Sequence, residues 1–388
     1  PARVKSLTGM DVPETRIEDI LTKLGFAVET GETWTVTPPS WRGDVEGEAD
    51  LVEEVARIEG FDKMPSTPLP PIEGRTPLVV TPLQNRVRLA RRVMAARGFL
   101  EAVTWSFMAR PHAGLFGGGS DALTLANPIA SDLDAMRPSI LANLAQAAQR
   151  ASDRGAGEVA LFEAGPIYLD DSPTGQRTVL AALVRPKPAR SWRGAGTAYD
   201  VFSIKADLFA ALEALGADPA RMGVFEAEGS HYHPGQSASL RLGPKKVIAS
   251  FGALHPRVLK ALDVEGEAFG FELDLDAMPY PKAKAGKTKP ALVLADQTPV
   301  RRDFAFVVGE AVPAGEIVKA ALGADKALIE AVSVFDVYRG PGLGQNEKSV
   351  AIETVLQPRE RTLTDEEIEA VSQAIIAAVT KASGGRLR

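Results

Sequence analysis

Between Asp44 and Asp62 the chain places eight carboxylates and one arginine in nineteen positions, inside the stretch "RGDVEGEADLVEEVARIEGFDKMP" that runs into a Pro-rich break. Acids at this density suit a solvated helix start, a calcium loop, or a hard-oxygen site for Mg²⁺. An EF-hand counted from Asp44 needs glycine at its sixth place and a bidentate glutamate at its twelfth, where this chain has Ala49 and Val55. The calcium loop is thereby removed. At about 100° per residue, Asp50, Glu53, Glu54 and Arg57 share one helical face, and Leu51, Val55 and Ile58 turn the other way toward a core. Asp44 lies just upstream, where a turn at Gly43 or Gly47 folds it back. A helix dipole favours acids at such a start in any case, so spacing alone leaves solvated surface and ion site both open.

The other candidates are weaker. "HYHPGQ" puts His231 and His233 on one side of a strand, but no third ligand follows at a metal-site spacing, and a turn with a structural histidine fits better. His112 and His255 stand alone. "GLFGGGSDAL" lacks the dinucleotide spacing, and "GPGLGQNEKS" has Glu347 where a phosphate loop needs glycine, so both read as loops, the second closing a hairpin. In the last part of the chain Phe304, Phe306, Tyr338, Arg339, Lys348, Arg359 and Arg361 bring aromatics and bases onto or beside adjacent strands, which could make a platform for unstacked bases. Against that platform, residues 290–388 carry eleven basic and fourteen acidic side chains, and the aromatics could equally be core.

Two breaks, "MPSTPLPPIEGRTP" at 64–77 and "MPYPKAKAGKTKPA" at 278–291, divide the chain and predict domains at 1–70, 71–285 and 292–388. In the first, "PETRIEDILTKLGF" places Ile17, Ile20, Leu21 and Leu24 on one helical stripe between Pro13 and Gly25, followed by a short hairpin around Gly31 and then the acidic helix. Helix, hairpin, helix predicts a winged-helix-like unit. The second opens with an arginine-rich helix from Thr81 to Gly98, its five arginines forming a positive face, and continues with more strands than helices, which favours a mainly antiparallel sheet. The third reads β-α-β-β-α, the ferredoxin-like order with a final strand missing or very short at "GGRLR", and Thr364 with Glu367 makes a capping box. The fold class is therefore α+β and multidomain.

With 388 residues, a formal charge of −6 and 24% charged side chains, the chain has no generally basic surface for coating nucleic acid. It has no cysteines, hence no disulfide framework and no thiolate chemistry. No apolar run approaches the ~18 residues of a membrane span, and a cytoplasmic place is expected.

The pieces fit one known pattern. "PPSWRGDVEGEADLVEEVARIEGFDKMP" resembles the B5 module of the bacterial phenylalanyl-tRNA synthetase beta subunit. "NPIASDLDAMRPSILANL", "LFEAGPIY" and "HPGQSA" with "IASFGALHP" resemble its class II synthetase-like module, and "RRDFAFVV" with "FDVYRGPGLGQNEKSVAIETVLQPRERTLTDEEI" its ferredoxin-fold anticodon-binding module. The resemblance covers the chain in the family's order, with the tRNA-binding and editing modules expected upstream of Pro1. It implies a partner alpha subunit in an alpha2beta2 tetramer, where alpha carries the ATP and phenylalanine site, and it implies no membrane or DNA partner. It also implies a Mg²⁺ site drawn from Asp44, Asp50, Glu53 and Glu54, leaving Glu46, Glu48, Glu59 and Asp62 to solvent. For the last module it implies binding of the tRNA-Phe anticodon stem and loop, with Arg301, Phe304, Phe306, Tyr338, Arg339, Lys348, Arg359 and Arg361 as candidate contacts. Two departures, "NEKS" for a common "GKKS" and "HPGQ" for "HPGR", remove Asn346, Glu347 and Gln236 from that set.

A class II active site needs an arginine two places before the glutamate of its second motif to hold the ATP α-phosphate. If "ALFEAG" is that strand, Leu161 stands in the arginine's place, and nothing between Gly223 and Met278 ends in a "GxGxGxxR" pattern. An apolar side chain cannot neutralise phosphate charge, so the middle domain is expected to be non-catalytic, with the Thr81 to Gly98 helix part of a subunit contact. Two rivals are a stand-alone nucleic-acid-binding protein and a self-sufficient class II ligase. The acidic helix speaks against the first, because carboxylates repel phosphates, and the missing arginine against the second.

Overall fold

The computed structural model describes residues 1–70, 79–187, 192, 194, 198–280, 291 and 294–388. Half of the first predicted break, from 71 on, and most of the second, 281–290, lie outside the described residues. The chain divides into two compact units, Pro1–Pro281 and Lys282–Arg388.

The first unit begins with α1 (Ala2–Thr8), which the sequence reading missed, then α2 (Glu14–Lys23), the hairpin β1 (Ala27–Glu29) and β2 (Thr35–Thr37), and α3 (Glu48–Glu59). Ile17, Ile20 and Leu21 of α2 are buried as their spacing predicts, packed with Val4 of α1 and with Phe26, Val45, Val52 and Val55. The inner face of α3 differs from the expected one. Val52, Val55 and Ala56 are buried, whereas Ile58, expected in the core, is exposed.

The unit continues with α4 (Pro82–Ala96), β3 (Leu100–Glu101), β4 (Phe107–Met108), α5 (Arg110–Leu115), β5 (Ala135–Met136), α6 (Leu141–Asp153), β6 (Val159–Tyr168) and β7 (Gln176–Arg185). After these come α7 (Val201–Ala214), β8 (Gly223–Phe225), β9 (Tyr232–Leu242), β10 (Lys246–Leu254), α8 (Pro256–Ala261) and β11 (Phe269–Asp274). A capping box starts α4: Thr81 Oγ1 accepts from the Gln84 N–H at 3.2 Å, and the Thr81 N–H donates to Gln84 Oε1 at 2.9 Å. A seven-stranded sheet runs β3-β6-β7-β11-β10-β9-β8, parallel only between β3 and β6. Period-two alternation divides its side chains between two layers. Phe162, Leu180, Phe271 and Leu273 pack under α4 and α7, and Val179, Ala181 and Leu183 pack under α6 and α8.

The second unit is β12 (Val300–Gly309), α9 (Ala314–Ala324), β13 (Ile329–Tyr338), β14 (Glu347–Leu356), α10 (Asp365–Ser383) and β15 (Arg386–Leu387), in one sheet ordered β13-β14-β12-β15. This is the expected ferredoxin-like order, its last strand two residues long and paired with β12. No helix among the described residues is long and apolar enough to cross a membrane.

Candidate functional site

At the acidic helix the chain supplies its own cation. Arg42 Nε and Nη2 clamp Asp44 at 2.9 and 2.7 Å, and Nη2 also reaches Glu54 Oε1 at 2.9 Å. Arg57, one turn along α3, holds the other Glu54 oxygen at 2.6 Å. Glu54 is buried, so its charge is sustained by these two guanidiniums rather than by water. Arg42, then Arg57, holds its carboxyl down at about 2, and Arg42 does the same for Asp44, also at about 2. The Arg42 guanidinium is correspondingly raised, Asp44 first and Glu54 second among the causes.

Of the four carboxylates selected for Mg²⁺, the structure therefore brings Asp44 and Glu54 together through a guanidinium. Asp50 folds back on its own helix start, accepting from the backbone N–H of Gly47 at 2.8 Å and of Glu46 at 3.0 Å, so it works as a cap. Glu53 is exposed and forms no ion pair among the described residues. Among those residues no three acidic, histidine or cysteine side chains converge as a metal would need. Two acids left to solvent in the sequence reading are in fact paired: Glu59 with Arg16 at 2.5 Å and Lys63 at 3.0 Å, and Glu48 with Arg3 at 2.8 Å. The missed signal was Arg42 itself, two places before Asp44 and one turn's reach from Glu54.

In the seven-stranded domain the positive face expected of α4 is largely consumed. Arg86 is buried and donates to the carbonyls of Leu275, Met278 and Pro279, with its guanidinium 3.9 Å from the Tyr280 ring centre. Arg91 pairs with Glu101 at 2.8 Å and Arg97 with Asp207 at 2.5 Å, leaving Arg88 and Arg92 exposed. Glu163, the glutamate of "ALFEAG", is buried on β6 against Arg137 at 2.9 Å and accepts from Thr104 Oγ1 at 2.6 Å. Arg137 also donates to Pro166 O at 2.8 Å and Thr104 Oγ1 at 2.9 Å. The arginine beside the glutamate is thus turned inward, its donors spent on the protein, and presents none to a phosphate.

The ferredoxin-like sheet sorts its candidates by alternation. Phe304 and Phe306 stand opposite Ile352 and Val350 and are buried under α9 and α10, rings 6.2 Å apart. This corrects the base-platform reading for these two: residues at even positions of β12 face the helices, and no base reaches them. Arg301, opposite Val355, lies on the other face, with Tyr338, opposite Ser349. Arg301 pairs with Glu353 at 2.5 Å, and Tyr338 Oη donates to Pro341 O at 3.2 Å. Arg339 is held by Glu310 at 2.7 Å, Arg361 by Glu367 at 2.6 Å, and Lys348 is buried with its Nζ on Glu310 O at 2.6 Å. Arg359 is exposed and unpaired among the described residues. The sequence reading missed Arg386 and Arg388: β15 sets Arg386 opposite Val307 on the open face, bound to Glu347 at 2.6 Å, and Arg388 lies 5.1 Å from the Tyr338 ring centre.

Three family models match in succession: the tRNA synthetase B5 domain at residues 1–61, the phenylalanyl tRNA synthetase beta chain CLM domain at 68–275, and the ferredoxin-fold anticodon binding domain at 296–388. The phenylalanine--tRNA ligase beta subunit of Brucella suis biovar 1 (strain 1330) is 51% identical over 99% of this chain and 49% of its own length. Those of Rhodospirillum rubrum and Mesorhizobium japonicum are 50% and 49% identical, each over 100% of this chain and 49% of theirs. The chain spans about half the length of the curated relatives it matches. A solved pyrrolysyl tRNA synthetase of Desulfitobacterium hafniense overlays 50% of this chain and 64% of its own at a TM-score of 0.38 and 13% identity. Identity near one half along the whole chain, with the three modules in sequence, leaves one assignment: the chain belongs to the phenylalanine--tRNA ligase beta subunit family.

Proposed function

We propose that this chain is the C-terminal half of a beta subunit that supports, without performing, the ATP-dependent attachment of phenylalanine to tRNA-Phe in the cytoplasm. In this reading an alpha subunit activates phenylalanine, two copies of each subunit assemble, and the products are Phe-tRNA, AMP and diphosphate. The three modules at 1–70, 71–285 and 292–388 supply ion ligands, a subunit contact and anticodon binding in turn. The observation that carries the non-catalytic role is the closed Arg137–Glu163 pair, which keeps both charged groups inside the protein. A stand-alone nucleic-acid-binding protein is not favoured, since whole-chain relatives are ligase subunits.

For Mg²⁺ the residues fit in part. Asp44 and Glu54 are anionic and adjacent, but Arg42 occupies them, and Asp50 serves its own helix. We assign Asp44, Asp50, Glu53 and Glu54 as the candidate oxygen set once Arg42 is displaced, with water or a partner completing it. For tRNA, Arg301, Tyr338, Arg339, Arg359 and Arg361 remain the candidates on exposed surface, joined by Arg386 and Arg388. Phe304, Phe306 and Lys348 act from the core.

The test is co-purification with the alpha subunit and aminoacylation with and without the full-length beta chain. Alpha is expected to retain this chain and to need full-length beta for charging; alpha that does neither overturns the reading. Glu53→Ala combined with Glu54→Ala is expected to weaken subunit association or divalent binding, and unchanged assembly in chelator removes the metal assignment.

A further inference from the structure

On the α6 side of the seven-stranded sheet a cavity of about 230 Å³ lies among Arg177, Glu228, His231, Tyr232, Glu272 and Asp274. Glu272 and Asp274 lie two apart on β11 and so project from the same face of the sheet, opposite Ala181 and Val179 of β7. Glu272 Oε1 accepts the Ile140 N–H at 2.7 Å, and Asp274 Oδ1 accepts the Ala277 N–H at 2.7 Å. His231 stacks on Phe116 with ring centres 4.8 Å apart, and its Nδ1 is buried without a hydrogen-bond partner. A buried polar atom left so is costly, and such atoms mark places where another molecule completes the bonding. Glu228 is held by Arg241 at 3.0 Å, whereas Arg177 is exposed and forms no ion pair or hydrogen bond among the described residues, its charge acting, after Ser172, to hold the Asp170 carboxyl down. Ile167 and Val247 supply apolar wall.

Two carboxyls on one face of β11, His231 with its unsatisfied nitrogen and the exposed Arg177 guanidinium line one cavity and form a bipolar arrangement. We propose that this cavity binds a small zwitterionic amino acid with an apolar side chain, its ammonium group at Glu272 and Asp274 and its carboxylate at Arg177. Burial pushes the Glu272 carboxyl up to about 7 even though the Ile140 and Leu141 N–H groups, Ser139 and the charge of Arg137 act against it, and an incoming ammonium group would add to that support. Burial likewise lowers His231 to about 4, leaving a neutral ring able to accept or donate one hydrogen bond. The site is independent of the proposed aminoacylation role and stands or falls without the alpha subunit.

The experiment is calorimetric titration of the 388-residue chain with L-leucine, L-leucinamide, which lacks the carboxylate, and 4-methylpentanoate, which lacks the ammonium group. Leucine is expected to bind at least about tenfold more tightly than either half-ligand, as two separated charge pairs require. Glu272→Gln keeps an oxygen for the Ile140 N–H and is expected to cost leucine about tenfold. Arg177→Ala, on the surface, decides the matter even if the first variant fails to fold: it should weaken leucine and leave leucinamide unchanged. Absence of leucine binding, equal binding of the half-ligands, or leucine binding indifferent to Arg177→Ala overturns the proposal.

Discussion

Two arginine–glutamate networks in the first unit use the same chemistry to opposite ends. Arg137 and Glu163 are 1% and 6% exposed, with hydrogen bonds from Thr104 and to Pro166 O completing a sealed cluster. Arg42 and Glu54 are 22% and 9% exposed, and the third member, Asp44, is 63% exposed. A sealed pair has no alternative partner, because separating it leaves a charge in low dielectric. A pair with one open side can exchange its guanidinium for water, a metal ion or another chain at modest cost. Placement, more than residue type, separates a structural ion pair from an exchangeable one.

The largest effect belongs to the sealed pair. Glu163→Ala strands Arg137 without its counter-charge and is expected to cost about 3–5 kcal/mol, read as a fall in the urea midpoint of the first unit. A loss below about 1 kcal/mol would place this pair with surface bridges and remove the contrast. Next comes Arg42→Ala, for which a clearly smaller fall in the urea midpoint is expected, since Glu54 keeps Arg57 and Asp44 returns to solvent. The same variant is expected to bind Mn²⁺, a spectroscopic stand-in for Mg²⁺, more tightly than the parent chain in electron paramagnetic titrations. Weaker or unchanged binding would show that Arg42 is not what competes for these carboxylates.

How far the sequence carried this comparison depends on the range of each contact. Local signals were readable: the α2 stripe of Ile17, Ile20 and Leu21 is buried, and Thr364 with Glu367 caps α10 as spaced. The order of the last module was legible too, because alternation and capping are set within a few residues. Arg137 and Glu163 are joined only when β6 is laid beside the segment from Thr104, a pairing no local pattern encodes. For Phe304 and Phe306 the alternation was legible but not the side that the helices would cover. Leu161 in place of an arginine was visible, yet that Arg137 meets the same glutamate from elsewhere was not. Arg42 was within reach, but counting from Asp44 left it out.

Acid should separate the networks with the smallest perturbation. Glu54 ionises at about 2 in the folded chain instead of its ordinary 4.5, held down by Arg42 first and Arg57 second against the opposing effect of burial. A carboxyl lowered on folding contributes its full stabilisation above the unfolded value, and the folded chain loses that contribution as the pH falls from 4.5 toward 2. Asp44 acts in the same direction, but its exposure leaves most of its field to solvent. In Arg42→Ala the Glu54 carboxyl moves back toward its ordinary value, so the urea midpoint of the first unit should fall less steeply across that window than in the parent. Glu163→Gln alters a different cluster and should lower the midpoint at neutral pH, where the Arg42 and Glu54 network is intact. If Arg42→Ala and the parent lose stability in parallel on acidification, Arg57 alone sustains the buried Glu54 charge. The open network would then be as closed as the sealed one.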